Sequence, residues 1–256
     1  MKDPNGYNVR AVERALQILN CFDDEHPEQG VSEIAQAMGL HKATTHRIMT
    51  TLLNCGYLER AADGQKYRLG LCVAELGYKV IRRLELRREA LPYMTQLVQR
   101  FDERCDLSVF DQSSVFYVGV VRSHHAVTIA AAVGQRLPAY CTASGKIMLA
   151  FLSPERRVAC LSQPLVRCTE KTITSRAELE RQLEDFRQQG YAFDDEEYEA
   201  GMRAVAAPIL NQDGRAIAAI GMPGPTGRMT LDRIPEIASA LKEAASEISR
   251  RMGWTV

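Results

Sequence analysis

Residues 42–54, KATTHRIMTTLLN, include side chains whose types and spacing suit contact with DNA. At about 100° per residue, a helix over this range has an apolar side formed by Thr45, Ile48 and Leu52, flanked by Met49. Its other side offers hydroxyl, imidazole and cationic groups, which a helix in a DNA major groove uses on base edges and phosphates. These candidate DNA contacts are Lys42, Ala43, Thr44, His46, Arg47 and Thr50. The alternative is two plain amphipathic helices, which are common in α-rich domains.

The local charge favours phosphate contact by this part of the chain. Five cations and two anions lie between His41 and Arg68, whereas the whole chain has a formal net charge of +0. A basic strip on a neutral protein suits phosphate binding better than a generally adhesive surface. We therefore add Lys66, Arg68, Arg10 and Arg14 to the candidate contacts, although arginines at the start of a surface helix usually just face solvent.

A second group of residues could bind a small anion. Residues 137–146, LPAYCTASGK, enter a helix with small side chains at its start. Unpaired N–H groups at a helix N-terminus, here near Ala143 and Ser144, form a site for a carboxylate or phosphate. Ordinary capping by Thr142 or Ser144 is the alternative. The acidic run 194–201 is expected to be a loop. It either faces solvent or offers a carboxylate to a ligand hydroxyl or a bound water.

The spacing of reactive residues does not favour an enzyme or a metal site. Gly145-Lys146 lacks the following Ser or Thr and the earlier glycine of a phosphate-binding loop. Ser144 lies outside any G-x-S-x-G pattern, and no S-x-x-K begins there. Seven irregularly spaced cysteines without a CxxC pair indicate reduced thiols. We therefore expect no catalytic residue, no metal ligand and no cofactor.

Length and composition fit one or two globular domains. The chain has 256 residues, of which 46% are hydrophobic and 25% charged. No apolar run approaches the ~20 residues that span a bilayer. The N-terminal segment MKDPNGYNVR also lacks the apolar stretch of a signal peptide. We expect a cytoplasmic protein that does not bind a membrane.

The candidate DNA contacts require a scaffold, which the N-terminal part of the chain can supply. Residues 9–22 predict an amphipathic helix, and Ser32 is the expected N-cap of the next helix. The second helix ends at Gly39, and residues 57–60 and 66–69 predict a hairpin around Asp63-Gly64. The predicted arrangement is a winged helix–turn–helix. The apolar positions expected to be buried on the first helix are Val12, Ala15, Leu16 and Leu19.

The remaining residues predict a linker helix and an α+β domain. The range 71–104 is strongly helical, with a first helix expected to end near Arg88 and a second to begin at Pro92. Beyond it, strands alternate with helices, which indicates an antiparallel sheet in an α+β domain. The predicted strands are 107–110, 115–121, 127–133, 204–210 and 216–222, and the predicted helices are 144–152, 176–189 and 231–252.

The sequence resembles the IclR family of bacterial transcriptional regulators. In the N-terminal part the resemblance lies in residues 12–16 (VERAL), 40–53 and 56–58 (GYL). Further along it lies in Leu137-Pro138, residues 143–146 (ASGK) and residues 194–208 (DDEEYEAGMRAVAAP). The resemblance implies a winged helix–turn–helix, a linker helix and a GAF-like C-terminal domain that senses a small metabolite. It also implies dimers, often paired as tetramers, on palindromic operators.

The resemblance also implies which residues contact the effector. Family members that bind very small oxo-acids have cysteine in place of Ala204 and serines in place of Gly221 and Pro223. Losing those polar groups leaves a roomier, more apolar pocket, so we expect a larger and partly hydrophobic organic acid, such as an aromatic one. Ala43 stands where serine is frequent, so the family's operator sequences do not transfer. The implied effector contacts are Ile129, Leu137, Ala143, Ser144, Asp194, Met202, Ala204 and Gly221.

The sequence therefore predicts three segments with separate roles. Residues 1–70 form the DNA-binding domain, 71–90 the linker helix and 91–256 the effector-binding and oligomerisation domain. The predicted function is control of catabolic genes, as repressor or activator, in response to a small organic acid. Two alternatives stay open at this point: a thiol-based redox-sensing regulator, and an enzyme domain fused to a DNA-binding domain.

Overall fold

A computed structural model describes residues 8–62, 64–83, 85–124 and 132–254. The chain forms two compact units, Met1–Arg83 and Leu84–Val256. The division falls inside the segment 71–90 that was predicted as a linker. Over the residues described, every helix is too short or too polar to cross a bilayer.

The N-terminal unit consists of helices followed by a short hairpin and a further helix. The two strands are antiparallel, with Leu58 opposite Leu69 and Arg60 opposite Tyr67. This is the predicted winged helix–turn–helix. Its elements are α1 (Arg10–Leu19), α2 (Val31–Met38), α3 (Lys42–Asn54), β1 (Leu58–Arg60), β2 (Tyr67–Leu69) and α4 (Leu71–Arg83).

The ends of α2 are fixed by local hydrogen bonds and by one glycine. Gly39 adopts φ 63°, a left-handed conformation that glycine reaches without a steric penalty, and so ends the helix before α3 begins. The prediction that Ser32 caps α2 is wrong, because Ser32 lies inside the helix. The N-cap is Gly30, whose N–H donates to Glu33 Oε2 at 2.6 Å.

In this unit, the buried faces of α1 and α3 differ from the predicted ones. Val12 and Leu16 of α1 are 57% and 58% exposed, whereas Ile18 is fully buried. The helix packs through the neighbouring stripe of Ala15, Ile18 and Leu19, which leaves Val12 and Leu16 as a second apolar stripe in solvent. On α3, Met49 is fully buried while Ile48 is only half-buried.

The C-terminal unit is a six-stranded antiparallel sheet with helices on both faces. The strand order is β5-β4-β3-β8-β7-β6. The strands are β3 (Cys105–Asp111), β4 (Ser114–Val121), β5 (Arg136–Pro138), β6 (Ala192–Asp195), β7 (Met202–Leu210) and β8 (Ala216–Pro225). The helices are α5 (Glu85–Phe101), α6 (Ala143–Ala150), α7 (Pro154–Cys160), α8 (Arg176–Gln189) and α9 (Ile234–Arg251).

Alternation along the strands decides which residues meet which helices. Leu107, Val205 and Ile220 point to the face covered by α5 and α9, where they form the largest apolar cluster. Ala206 and Ala219 instead pack with α6 and α8 on the other face. Small side chains on that second face let α6 approach the sheet closely.

Several predicted boundaries in this unit differ from the structure. Pro92 lies inside α5 rather than starting a helix, because the buried residues Leu86, Ala90 and Met94 continue one apolar stripe past it. Asp194 and Asp195 belong to strand β6 and not to a loop. The short elements β5 and α7 were not predicted. The predicted strand 127–133 lies mostly outside the described residues, and 132–133 belong to no strand.

Candidate functional site

A cavity of about 260 Å³ lies between the start of α6 and one face of the sheet. This volume is slightly below the range typical of small-molecule sites. Its walls come from the sheet strands, from the loop before α6 and from the turn after β6. The lining residues are Arg104, Asp106, Tyr117, Gln135, Leu137, Thr142, Ala143, Ser144, Asp194, Tyr198, Glu199, Met202, Arg203, Ala204, Val205, Gly221, Met222 and Pro223.

The N-terminus of α6 presents backbone N–H groups at this cavity. Thr142 is the N-cap, and its Oγ1 accepts the Gly145 N–H at 3.3 Å. Residues at the first two helical positions, here Ala143 and Ser144, have no intrahelical acceptor for their N–H groups. The capping alternative and the anion-site interpretation are therefore compatible, since Thr142 satisfies a different donor. Both Ala143 and Ser144 line the cavity.

Two glycines allow α6 to start this close to the sheet. A Cβ at Gly145 would lie 2.2 Å from Ala139 Cα, which no side chain tolerates. A Cβ at Gly221 of β8 would lie 2.9 Å from Ser144 Oγ. Ser144 therefore packs directly against the sheet at Gly221, and the depth of the cavity depends on the missing side chain there.

A buried ion pair forms part of the cavity wall. Arg104 Nη2 donates to Asp106 Oδ2 at 2.7 Å, and both side chains are buried. Burial raises the pKa of Asp106 to about 6, and the Arg104 cation opposes that rise. Among the described residues, Asp106 Oδ1 has no hydrogen-bond partner. A buried acceptor in a cavity wall needs a donor from a ligand or water, because leaving it unpaired costs about 1–3 kcal/mol.

Asp194 places a second carboxyl group in the cavity. It is 7% exposed, and burial raises its pKa to about 7 while the hydrogen bond from the Glu197 N–H lowers it. That bond reaches Asp194 Oδ1 at 2.8 Å. The charge of the cavity wall can therefore change near neutral pH.

Lys146 has a structural position behind the cavity. Its side chain is fully buried, forms an ion pair with Glu197 and donates to Gln182 Oε1 at 2.6 Å. Lys146 does not line the cavity. The lysine in the segment ASGK thus connects α6 to α8 and to the turn after β6. Breaking a buried pair of this kind costs more than breaking a surface pair.

The structure brings together seven of the eight implied effector contacts. Ile129 lies outside the described residues. The ion pair of Arg104 and Asp106 was missed, and it makes one wall more polar than the expected apolar pocket. The sequence did contain a signal for this pair: Arg104 and Asp106 have opposite charges and lie two positions apart at the start of an apolar strand, so their side chains share one face. The seven that line the cavity are Leu137, Ala143, Ser144, Asp194, Met202, Ala204 and Gly221.

The candidate DNA contacts form a continuous surface on α1 and α3. Arg10 and Arg14 of α1 line the same shallow groove as Thr44, His46, Arg47 and Thr50 of α3. Lys42 and Ala43 are exposed at the start of α3. Across the ranges the structure describes, no ion pair with an acidic side chain is found for four of these cations. They are Arg10, Arg14, Lys42 and Arg47.

The hairpin cations are already engaged within the unit. Arg68 Nε donates to Glu59 Oε1 at 2.6 Å across the two strands. Lys66 Nζ lies 3.8 Å from Glu33 Oε1. Both ion pairs are solvent-exposed and are worth at most about 1 kcal/mol, so a phosphate can compete for either cation.

Comparison with known proteins identifies the family of this chain. The model described as "Bacterial transcriptional regulator IclR C-terminal" matches residues 78–250, and the "IclR helix-turn-helix domain" model matches residues 11–62. The HTH-type transcriptional regulator XynR of Escherichia coli (strain K12) is 33% identical over 247 residues, which cover 96% of this chain and 98% of XynR.

Solved structures agree with the sequence relatives. The crystal structure of Thermotoga maritima IclR has a TM-score of 0.76 at 30% identity, covering 96% of this chain and 100% of that one. An IclR homolog from Microbacterium hydrocarbonoxydans, complexed with 4-hydroxybenzoate, has a TM-score of 0.83 at 32% identity, covering 95% and 99%. The chain described here belongs to the IclR family of helix–turn–helix transcriptional regulators.

Proposed function

We propose that this regulator controls catabolic genes, as repressor or activator, by binding a small organic acid in the cavity of its C-terminal unit. The observation that carries the proposal is the cavity itself. It combines the N–H groups at the start of α6 with apolar walls and an unpaired acceptor on Asp106. A soluble acid with a second polar group matches this combination.

The ligand is a hydroxylated aromatic acid. Its carboxylate accepts hydrogen bonds from Ala143 and Ser144, where the helix dipole also favours negative charge. The ring lies against apolar walls that include Leu137 and Met202, and its hydroxyl donates to Asp106 Oδ1. The 4-hydroxybenzoate bound to the Microbacterium hydrocarbonoxydans relative supports this class of ligand.

Helix α3 enters the major groove of operator DNA, and the β1–β2 hairpin contacts the phosphate backbone. Arg47, His46 and Thr50 reach base edges, while Lys42, Lys66 and Arg68 contact phosphates. Arg10 and Arg14 extend the phosphate contacts from α1. Salt-dependent affinity is then expected, because each neutralised phosphate releases counterions.

The protein binds a palindromic operator as a dimer, and two dimers associate as a tetramer. Val9, the N-cap of α1, and Val12 and Leu16 of α1 form an exposed apolar stripe, and each is more than half exposed. This stripe supports a second copy covering the surface. Dimerisation sets the distance between the two α3 helices and so the half-site spacing. The segment 71–90 connects DNA binding to acid binding. The acid shifts the populations of the dimer's arrangements because its affinity differs between them.

Fluorescence anisotropy tests this proposal most simply. Labelled DNA from upstream of the protein's own gene is titrated with protein at several salt concentrations. The titration is then repeated with glyoxylate, pyruvate, benzoate and 4-hydroxybenzoate. We expect sequence-selective DNA binding whose affinity falls steeply as salt increases. 4-Hydroxybenzoate should change this affinity, whereas glyoxylate and pyruvate should not. A response to glyoxylate or pyruvate that exceeds the response to either aromatic acid would contradict the proposed ligand class.

A further inference from the structure

Two cysteines lie together beside the cavity. Cys141 Sγ and Cys168 Sγ are 4.0 Å apart. Cys141 is fully buried and directly precedes Thr142, the N-cap of α6, whereas Cys168 is exposed. A disulfide requires an S–S distance of about 2.05 Å, so the two sulfurs are about 2 Å from bonding distance. Among the described residues, no other two cysteines are in hydrogen-bond contact with each other.

The segment that carries Cys168 is tied to the cavity by hydrogen bonds. Thr169 Oγ1 donates to the Glu196 carbonyl at 2.6 Å, and Thr172 Oγ1 donates to the Glu197 carbonyl at 2.7 Å. The Glu197 N–H in turn donates to Asp194 Oδ1. Movement of Cys168 is therefore transmitted through two bonded threonines to the turn that holds the Asp194 carboxyl group.

The loop that carries Cys141 is the fixed side of the pair. Thr142 Oγ1 donates to the Pro138 carbonyl at 2.9 Å, and the Ala139 N–H donates to the Ser113 carbonyl at 3.0 Å. Gly145 packs against Ala139 with no space for a side chain. Because these contacts hold the Cys141 loop, we expect closure of the 4.0 Å gap to involve rotation of the Cys168 side chain and movement of its segment towards Cys141.

We propose that Cys141 and Cys168 are a modification site, at which a peroxide forms a disulfide that weakens acid binding in the cavity. Neither residue belongs to the effector or DNA contacts assigned above. The effect on acid affinity rests on the proposed function, whereas formation of the disulfide does not. Closing the bond draws the turn with Asp194 towards the N–H groups of Ala143 and Ser144, and a carboxyl group there competes with the ligand carboxylate.

The chemistry balances with hydrogen peroxide as the oxidant. The Cys168 sulfur attacks one peroxide oxygen, the O–O bond breaks, and a sulfenic acid and one water form. The Cys141 sulfur then attacks the Cys168 sulfur, the S–S bond forms, and the hydroxyl leaves as a second water. The two thiols lose two electrons and two protons. Burial raises the pKa of the Cys141 thiol, so the exposed Cys168 meets the oxidant first.

The first experiment measures the disulfide without any acid present, so it is independent of the proposed function. The full-length protein is treated with hydrogen peroxide, alkylated, digested and examined by mass spectrometry, with and without later thiol reduction. We expect a Cys141–Cys168 peptide pair that thiol removes. Cys168→Ser and Cys141→Ser should lack this peptide pair. The control Cys160→Ser, which changes a thiol hydrogen-bonded to the Gln112 carbonyl, should retain it. Sulfenic acid at Cys168 without the cross-link would overturn the proposal.

The second experiment measures 4-hydroxybenzoate affinity by calorimetry on reduced and oxidised protein. We expect at least a threefold weaker Kd after oxidation, recovery after thiol treatment, and no change in oxidised Cys168→Ser. An unchanged Kd in protein shown to be cross-linked would overturn the effect on binding. If reduced protein binds no acid at all, the proposed function fails, and the mass spectrum still decides whether the modification site exists.

Discussion

Asp106 and Gly221 are register partners on the neighbouring strands β3 and β8. Ser144 packs on Gly221 from the start of α6, so the β3–β8 pairing places the buried Asp106 carboxyl group in the same cavity as the start of α6. The cavity therefore offers helix N–H groups at α6 and an unpaired acceptor at Asp106. A ligand with a carboxylate and a hydroxyl group, as proposed, matches these two groups.

The change Asp106→Asn tests the acceptor end. It keeps the size of the side chain but removes the charge that accepts the ligand hydroxyl, and hydrogen bonds to charged groups are worth about 1.5–3 kcal/mol. We expect the preference for 4-hydroxybenzoate over benzoate to fall by about tenfold, measured as the ratio of two Kd values by calorimetry. Benzoate, which lacks the hydroxyl, is the internal control. An unchanged ratio would remove Asp106 from the ligand site.

Acid binding should weaken as pH rises through neutrality. Asp194 has a pKa raised to about 7 by burial, so it is mostly neutral at pH 6 and mostly charged at pH 8. A charged Asp194 repels the ligand carboxylate, which remains ionised throughout, and at an effective dielectric constant near 20 the repulsion is worth at least ~1.4 kcal/mol. We expect Kd to rise about tenfold between pH 6 and pH 8.

The matched control for this pH effect is Asp194→Asn. The amide oxygen can still accept the Glu197 N–H, but the group no longer titrates. The variant should bind with nearly constant affinity above pH 7, and any dependence left near pH 6 belongs to Asp106, whose pKa is about 6. Tighter acid binding by the unsubstituted protein at pH 8 than at pH 6 would contradict this assignment.

Lys146→Met should strongly destabilise the C-terminal unit. The change leaves Glu197 buried without its cation, which costs about 3–5 kcal/mol in comparable pairs. Trp254 is the chain's single tryptophan and lies in this unit, so its fluorescence reports unfolding in urea. Lys171→Met, which removes an exposed pair with Asp195 and Glu196, should cost less than about 1 kcal/mol. Equal losses in the two variants would show that burial of the Lys146 pair has no special importance.

Arg47→Ala and Lys66→Ala should weaken DNA binding in different ways. Arg47 is proposed to read bases, so its loss should cost about 1–3 kcal/mol on the operator and change the sequence preference. Lys66 is proposed to contact a phosphate, so its loss should weaken specific and non-specific binding alike and reduce the salt slope by about one unit. Anisotropy on operator and scrambled DNA separates the two. If Arg47→Ala binds both DNAs as the unsubstituted protein does, Arg47 is not a contact.

The fold could be predicted from the sequence where local signals were strong. Gly39 and the Asp213-Gly214 turn each mark a boundary, and the strands on either side of Asp213 pair as expected. The prediction of the buried face of α1 was wrong because Val12 and Leu16 belong to an apolar stripe that is as hydrophobic in sequence as the stripe that packs. Sequence alone cannot decide between two equivalent stripes, since tertiary packing makes that choice.

The residues of the cavity were predictable only in part, because some of them meet only through tertiary packing. Ala143 and Ser144 follow from the signature of a helix start, and the others from the family resemblance. Arg104 and Asp106 were missed because they lie far from the ASGK segment in the sequence, and only the β3–β8 pairing brings Asp106 beside it. The pair of Cys141 and Cys168 could not be predicted either, since the two residues lie 27 positions apart in the sequence while their sulfurs lie 4.0 Å apart.

The most direct test of the account is whether filling the cavity abolishes the response while DNA binding persists. Ser144→Trp places an indole between α6 and β8, and Ala204→Met is a milder change in the same cavity, in case the tryptophan disturbs folding. In operator anisotropy, both variants should bind as tightly as the unsubstituted protein without acid, and neither should respond to 4-hydroxybenzoate at concentrations that change the unsubstituted protein. A normal response in variants that fold and bind DNA normally would place the effector site elsewhere.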